Sequence, residues 1–213
     1  MGRDKARLPV EGRPLLLKLL EVGRSACREG ILVVDRPGRY DDLLSGWAST
    51  GWPLRVAVDL RGGRGPVAGL EAGLAAATEA ACFVAACDLP YLEPSLVTAL
   101  LAEIEVDPRP ATGGGAKGAE SGGEEGSGMP RAIVPVRGGR DQPLCAAYER
   151  RAVGAAASCL DAGEDAVAAF LDRLLVRRLE EDALDRLVGR VGASAWTVDL
   201  DRPGDAAGSK SGR

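Results

Sequence analysis

The sequence predicts an α/β domain, a Rossmann-like, mostly parallel sheet with helices on both faces. Three observations predict it. Short apolar runs bounded by turn residues alternate with longer segments of helical period. Two of the runs end in an aspartate, Asp59 and Asp88. The order strand, helix, strand, helix repeats through the first half of the chain, the pattern of parallel strands joined by right-handed crossovers.

Residues 14–28 carry leucines at helical spacing, with Pro14 suited to a first turn. Ile31-Leu32-Val33-Val34 reads as a buried strand. Residues 40–47 read as a helix, and 54–58 as a second strand ending at Asp59. A loop at 61–65 leads into an Ala-rich helix over 66–81. Residues 82–87 form the third strand, before Asp88, and 94–105 another helix. A strand at 132–136 and a turn at 138–144 run into a further element. Helices near 152–161 and 165–174, a strand at 175–179 and a last short strand at 196–200 complete the order.

With 213 residues the chain fits one domain, placed at 1–205. Within it, 107–130 holds eight glycines and no aromatic residue, and reads as a flexible insertion. The Gly/Ser/Lys tail, 206–213, reads as disordered.

Composition narrows the function. The net charge of −4 leaves no basic field for nucleic acid. Histidine is absent, which excludes Ser-His-Asp and Cys-His catalysis and any His-ligated metal. A metal here would take oxygen ligands, which favours Mg²⁺. The five cysteines form no C-x-x-C pair and read as buried, reduced thiols of a cytoplasmic protein. No apolar span is long enough for a membrane.

Asp88 follows an apolar strand, where open α/β sheets place their ligands. A carboxylate there can hold Mg²⁺ against phosphates, or can be a turn or cap residue before Pro90. Asp59 has the same placement. It could accept the N1–H and N2 amino hydrogens of guanine, or serve the turn alone. Gly65-Pro66-Val67-Ala68-Gly69 opens a helix whose first N–H groups would admit a nucleotide, although tight packing also selects small residues. Lys5 could offer a point charge to a triphosphate, or simply be solvated. Asp199, Asp201 and Asp205 either help hold a metal or cap a turn. Neither G-x-x-x-x-G-K-[ST] nor a G-x-G-x-x-G after a strand occurs.

In order, these stretches resemble the molybdenum cofactor guanylyltransferases of the MobA type. Met1-Gly2-Arg3-Asp4-Lys5 looks like the end of that family's L-A-G-G-x-S-x-R-M-G-x-D-K signature. Gly65-Pro66-Val67-Ala68-Gly69-Leu70 is similar to its G-P-L-A-G-[IL], and Cys87-Asp88-Leu89-Pro90-Tyr91-Leu92 to its C-D-x-P-[FY]-[LI]. Val134-Pro135-Val136, Gln142-Pro143-Leu144 and the stretch from Asp199 to Asp205 follow its later motifs.

The resemblance implies a nucleotide-diphospho-sugar transferase-like fold and transfer of GMP from GTP to the terminal phosphate of molybdopterin, with Mg²⁺. It implies Lys5 and Asp88 as catalytic residues, and Lys5, Asp35, Asp59, Gly65 and Asp88 as contacts to GTP. Asp88 and Asp201 would hold the metal. Partners implied are GTP, the molybdenum cofactor and the enzymes that receive it.

Asp4-Lys5 favours the guanylyl branch over cytidylyltransferases. Rival readings are a nucleotidyltransferase using CTP or a sugar phosphate, and a non-catalytic nucleotide-binding remnant. The signature's head falls outside this sequence, so the first strand is expected to be missing, with Met1 an internal methionine of the motif. Two open strand edges, exposed apolar surface and a weakened fold are then expected.

Overall fold

The computed structural model describes residues 4–106 and 128–189. A 3-10 turn at Lys5–Arg7 leads into a small antiparallel ribbon, β1 (Pro9–Val10) on β2 (Arg13–Pro14). Then come α1 (Leu15–Ala26), β3 (Gly30–Val34), α2 (Asp41–Leu44), β4 (Leu54–Val58), α3 (Gly65–Ala76), β5 (Ala81–Ala85) and α4 (Pro94–Val106). The later part contributes β6 (Arg131–Arg137), β7 (Arg140–Asp141), β8 (Cys145–Glu149), α5 (Val153–Asp161), α6 (Val167–Leu171), β9 (Leu175–Leu179) and α7 (Glu181–Val188).

Among the described residues the strands fall into a parallel pair and a larger sheet. β3 lies beside β4 in parallel, Gly30 opposite Leu54 through Val34 opposite Val58. In the larger sheet β8 lies between β5 and β6 and runs antiparallel to both, while β9 joins β6 in parallel. The sheet is therefore mixed, with β8 and the short β7 running against the other strands.

Alternation along the strands sorts the core into two layers, as a period of two requires. Ala132, Val134, Ala146 and Tyr148 face Val67, Leu70 and Leu74 of α3, Ala156 and Leu160 of α5 and Phe170 of α6. Ile133, Cys145 and Ala147 face Leu96, Val97, Leu100 and Ile104 of α4 and Leu184 of α7. Helices thus cover both faces.

Several helices end earlier than the sequence predicts, each for a tertiary reason. α3 stops at Ala76 because the Glu29 carboxylate takes the Thr78 and Glu79 N–H groups, at 2.7 and 3.3 Å, leading the chain toward β5. α6 is shortened to Val167–Leu171 because the chain turns and Leu175 N–H bonds the Pro130 carbonyl at 2.8 Å, which starts β9. The expected helix at 40–47 is split into α2 and a 3-10 turn at Trp47–Thr50, with Gly46 between. Pro14 belongs to β2 and precedes α1 rather than lying in its first turn. The strand expected at 196–200, the tail and most of the Gly-rich stretch lie outside the described residues.

Among the described residues β3 pairs only with β4, and β5 only with β8. A slot of about 640 Å³ lies against both strands, lined by Leu20, Ile31, Val33, Leu70, Phe83 and Leu101 among others. Its walls are mainly apolar side chains of α1, α3, α4 and the two strands.

Candidate active site

Asp35, Asp59 and Asp88 lie just past the ends of β3, β4 and β5. Lys5 Nζ lies 3.3 Å from Asp88 Oδ2, across 83 positions of sequence. The two side chains are 31% and 28% exposed, so an incoming anion can reach the ammonium and a cation the carboxylate. Asp88 lies three residues past the end of β5, and Lys5 opens the 3-10 turn that Asp4 caps by accepting the Ala6 N–H at 3.1 Å.

Behind this pair stands a second set of charges. Asp4 accepts the Tyr40 hydroxyl at 3.1 Å and lies 3.4 Å from Arg39 Nη2. Arg39 Nη1 is 2.5 Å from Asp35, the residue after β3. The Arg39 hydrogen bond holds the Asp35 carboxyl below its ordinary value against the opposing effect of burial. Asp35 also meets Arg36 at 3.2 Å. In this structure, then, the Asp35 carboxylate is engaged by two arginines.

Asp59 ends β4, and its N–H bonds the Val34 carbonyl at 2.8 Å, which fixes it beside the end of β3. Its Oδ1 accepts the Arg61 N–H at 2.9 Å and shapes the loop that follows. That loop is pinned outward as well: Arg61 meets Glu71 and Asp161, and Arg64 donates to the Leu160 carbonyl at the end of α5. Gly65 begins α3 at φ +67°, a left-handed value that glycine adopts without strain. No side chain caps this helix, so its first-turn N–H groups remain suited to an anion.

The third motif closes the other side. Ala86 N–H bonds the Leu144 carbonyl at 2.7 Å, which sets Gln142-Pro143-Leu144 beside the end of β5. The hydroxyl of the buried Tyr148 holds the Pro143 carbonyl at 2.7 Å.

Residues 1–181 match the family model of the MobA-like NTP transferase domain. The chain belongs to this family. A molybdenum cofactor guanylyltransferase of Desulfosudis oleivorans is 26% identical over 93% of this chain and 82% of its own length. A protein of Pelotomaculum thermopropionicum, named a probable molybdenum cofactor guanylyltransferase, is 30% identical over 88% of this chain and 76% of its own.

Solved structures agree on the MobA-like fold. The Archaeoglobus fulgidus molybdopterin-guanine dinucleotide biosynthesis protein A superposes with a TM-score of 0.66, at 20% identity, covering 96% of this chain and 87% of that one. The 2-C-methyl-D-erythritol 4-phosphate cytidylyltransferase of Thermus thermophilus gives 0.50 at 18% identity, covering 84% and 85%. At these identities they speak for the fold alone.

In this MobA-like domain, Lys5 and Asp88 meet directly, and Asp35 joins them through Arg39 and Asp4. Asp201 lies outside the described residues. Arg39 and Tyr40 escaped the sequence reading, because nothing local in Gly38-Arg39-Tyr40 signals a contact 36 positions away. All five cysteines are free; Cys145 and Cys159 are buried as expected, while Cys27 and Cys82 are only partly covered and Cys87 is exposed, which corrects the expectation for those three. Cys87 lies two residues past the end of β5, where the sheet stops shielding it.

Proposed function

We propose that this chain transfers GMP from GTP to the terminal phosphate of molybdopterin, releasing pyrophosphate. The observation that carries the reading is the Lys5–Asp88 pair, an ammonium and a carboxylate brought to one strand end and both open to solvent. The names of the curated relatives support the choice of substrates.

In the reaction a phosphate oxygen of the acceptor attacks the α-phosphorus. The bond to the β-bridging oxygen breaks, and its electron pair leaves with pyrophosphate. The nucleophile is already anionic, which suits a chain with no histidine to act as a base. Lys5 would neutralise the triphosphate, the α3 N-terminus would receive phosphate oxygens, and Asp59 would read the guanine edge. Asp35, held here by Arg39 and Arg36, is assigned to the base side by resemblance.

Mg²⁺ fits the donor set. The ion commonly takes one or two carboxylates and completes its shell with substrate phosphates and water. Asp88 is such a donor, with Asp201 assigned beside it by resemblance, and no cluster of three or more ligating residues occurs among the described residues. When bound, the ion would supply charge neutralisation to the reacting phosphates. We also place the protein in the cytoplasm, with enzymes that receive the finished cofactor as its partners. No helix among the described residues is long and apolar enough to cross a membrane.

The test is pyrophosphate release from MgGTP and molybdopterin by Asp88→Ala. Turnover is expected to vanish, and near-normal turnover would overturn the metal role. A second reading is a nucleotide-binding protein without turnover. That reading predicts GTP binding with no pyrophosphate release by the unaltered chain.

A further inference from the structure

We propose that Tyr40, together with Arg39, is a positioning residue that holds Lys5 against Asp88 by way of the Asp4 carboxylate. The value of this for turnover rests on the reading of Lys5 given above.

The contacts form one continuous path. The Tyr40 hydroxyl donates to both oxygens of Asp4, at 3.1 and 3.2 Å. Asp4 Oδ1 in turn accepts the Ala6 N–H at 3.1 Å, which closes the turn that begins with Lys5. Ala6 is 1% exposed and anchors that turn in the core beside Leu16 and Leu20. Lys5 is thus held between a capped residue before it and a buried residue after it.

Arg39 braces the same carboxylate from the side, bridging Asp4 and Asp35. Its guanidinium and that of Arg7 stack over the Tyr40 ring, 5.3 and 5.4 Å from the centroid. The geometry is demanding: Arg39 Nε is buried and has no hydrogen-bond partner. Such an unsatisfied donor is rare in folded proteins and calls for compensation by its neighbours. Here the compensation is the pair of carboxylates on its other nitrogens.

The chemical consequence concerns the lysine. A long side chain loses much rotamer entropy when its ammonium is fixed, and anchoring its backbone beforehand reduces that loss. Tyr40 never reaches Asp88 and acts through Asp4.

The chain has four lysines, Lys5, Lys18, Lys117 and Lys210, so each can be followed by mass spectrometry after trace acetylation with acetic anhydride. Lys18, ion-paired with Glu11 at 2.6 Å, is the internal reference. Tyr40→Phe removes only the hydroxyl and keeps the ring. We expect Lys5 labelling relative to Lys18 to rise about threefold, the low end of the net worth of a single hydrogen bond. Asp4→Ala cuts the path at its other end and should give the same rise.

MgGTP titrations complete the test. Tyr40→Phe should weaken binding in the unaltered chain and add nothing in Lys5→Ala, because coupled residues are not additive. Unchanged Lys5 labelling in both variants, or equal rises at Lys5 and Lys18, would overturn the positioning role. A selective rise at Lys5 with GTP binding untouched by Lys5→Ala would leave the positioning role standing and overturn the nucleotide role of Lys5.

Discussion

Tyr148→Phe should loosen the site from behind. Tyr148 is fully buried between β5 and β6, packed on Phe170 with ring centroids 5.7 Å apart. Its hydroxyl donates to the Pro143 carbonyl at 2.7 Å, and burial pushes its pKa above the ordinary tyrosine range, so it remains a donor throughout neutral pH. The substitution leaves the ring in place and deletes that one donor. A net hydrogen bond is worth about 1 kcal/mol, and a partly buried carbonyl left unpaired adds roughly as much, giving about 1.5–2 kcal/mol in total. For a chain of this size that corresponds to a fall in Tm of roughly 3–8 °C. Thermal and urea melts followed by circular dichroism would measure it. Because the freed carbonyl belongs to the turn beside Asp88, any activity should fall more than stability accounts for. A Tm within a degree or so of the parent would refute the account, since it would mean that water or a shifted turn satisfies Pro143 without loss.

Three further outcomes follow from the same structure. Gly30→Ala would put its Cβ 2.2 Å from the Trp52 ring, which is fixed by its Nε1–H bond to the Cys27 carbonyl at 2.9 Å. A destabilisation of about 2–3 kcal/mol with altered tryptophan fluorescence is expected, and an unchanged urea midpoint would count against the packing. Glu149 is raised by burial but lowered more by hydrogen bonds from Arg131 and Arg151, so its folded pKa lies below its ordinary 4.5. A depressed carboxylate stabilises the fold above its unfolded pKa and loses that contribution as pH falls through the folded one. The stability gap between the parent and Glu149→Gln should therefore be full at about pH 6 and close toward about pH 3, and a constant gap would contradict the linkage. Asp59→Ala should reduce the preference for GTP over CTP by roughly tenfold in competition binding, the scale of a lost hydrogen-bonded charge. An unaltered ratio would remove Asp59 from base recognition.

The sequence was most legible where one residue type decides the local outcome. Leu54–Val58 and Leu175–Leu179 occur where their apolar runs and turn signals place them. Cys145–Glu149 went untyped because Cys145, Ala146, Ala147 and Tyr148 are all buried, which erases the alternation that marks a strand. The end of α3 was misjudged because it depends on Glu29, a carboxylate some fifty positions away. The same divide runs through the site. Lys5 and Asp88 stand in short motifs that can be read locally. The bracing of Asp4 by Arg39 and Tyr40 depends on a meeting of distant segments, which no window of sequence contains.

The open slot between β3 and β5 has a consequence for reach. Asp35 and Asp59 terminate one set of strands, Asp88 terminates the other, and the turn at Asp4-Lys5 bridges them. The lateral separation of Asp35 and Asp59 from Asp88 is therefore set across the slot rather than within either half. Ile31 and Phe83 line the slot from its two strands, so a change in their bulk is expected to alter the spacing between those carboxylates. A ligand gripping both ends would in turn tie the halves together, so nucleotide concentration and fold stability rise in step.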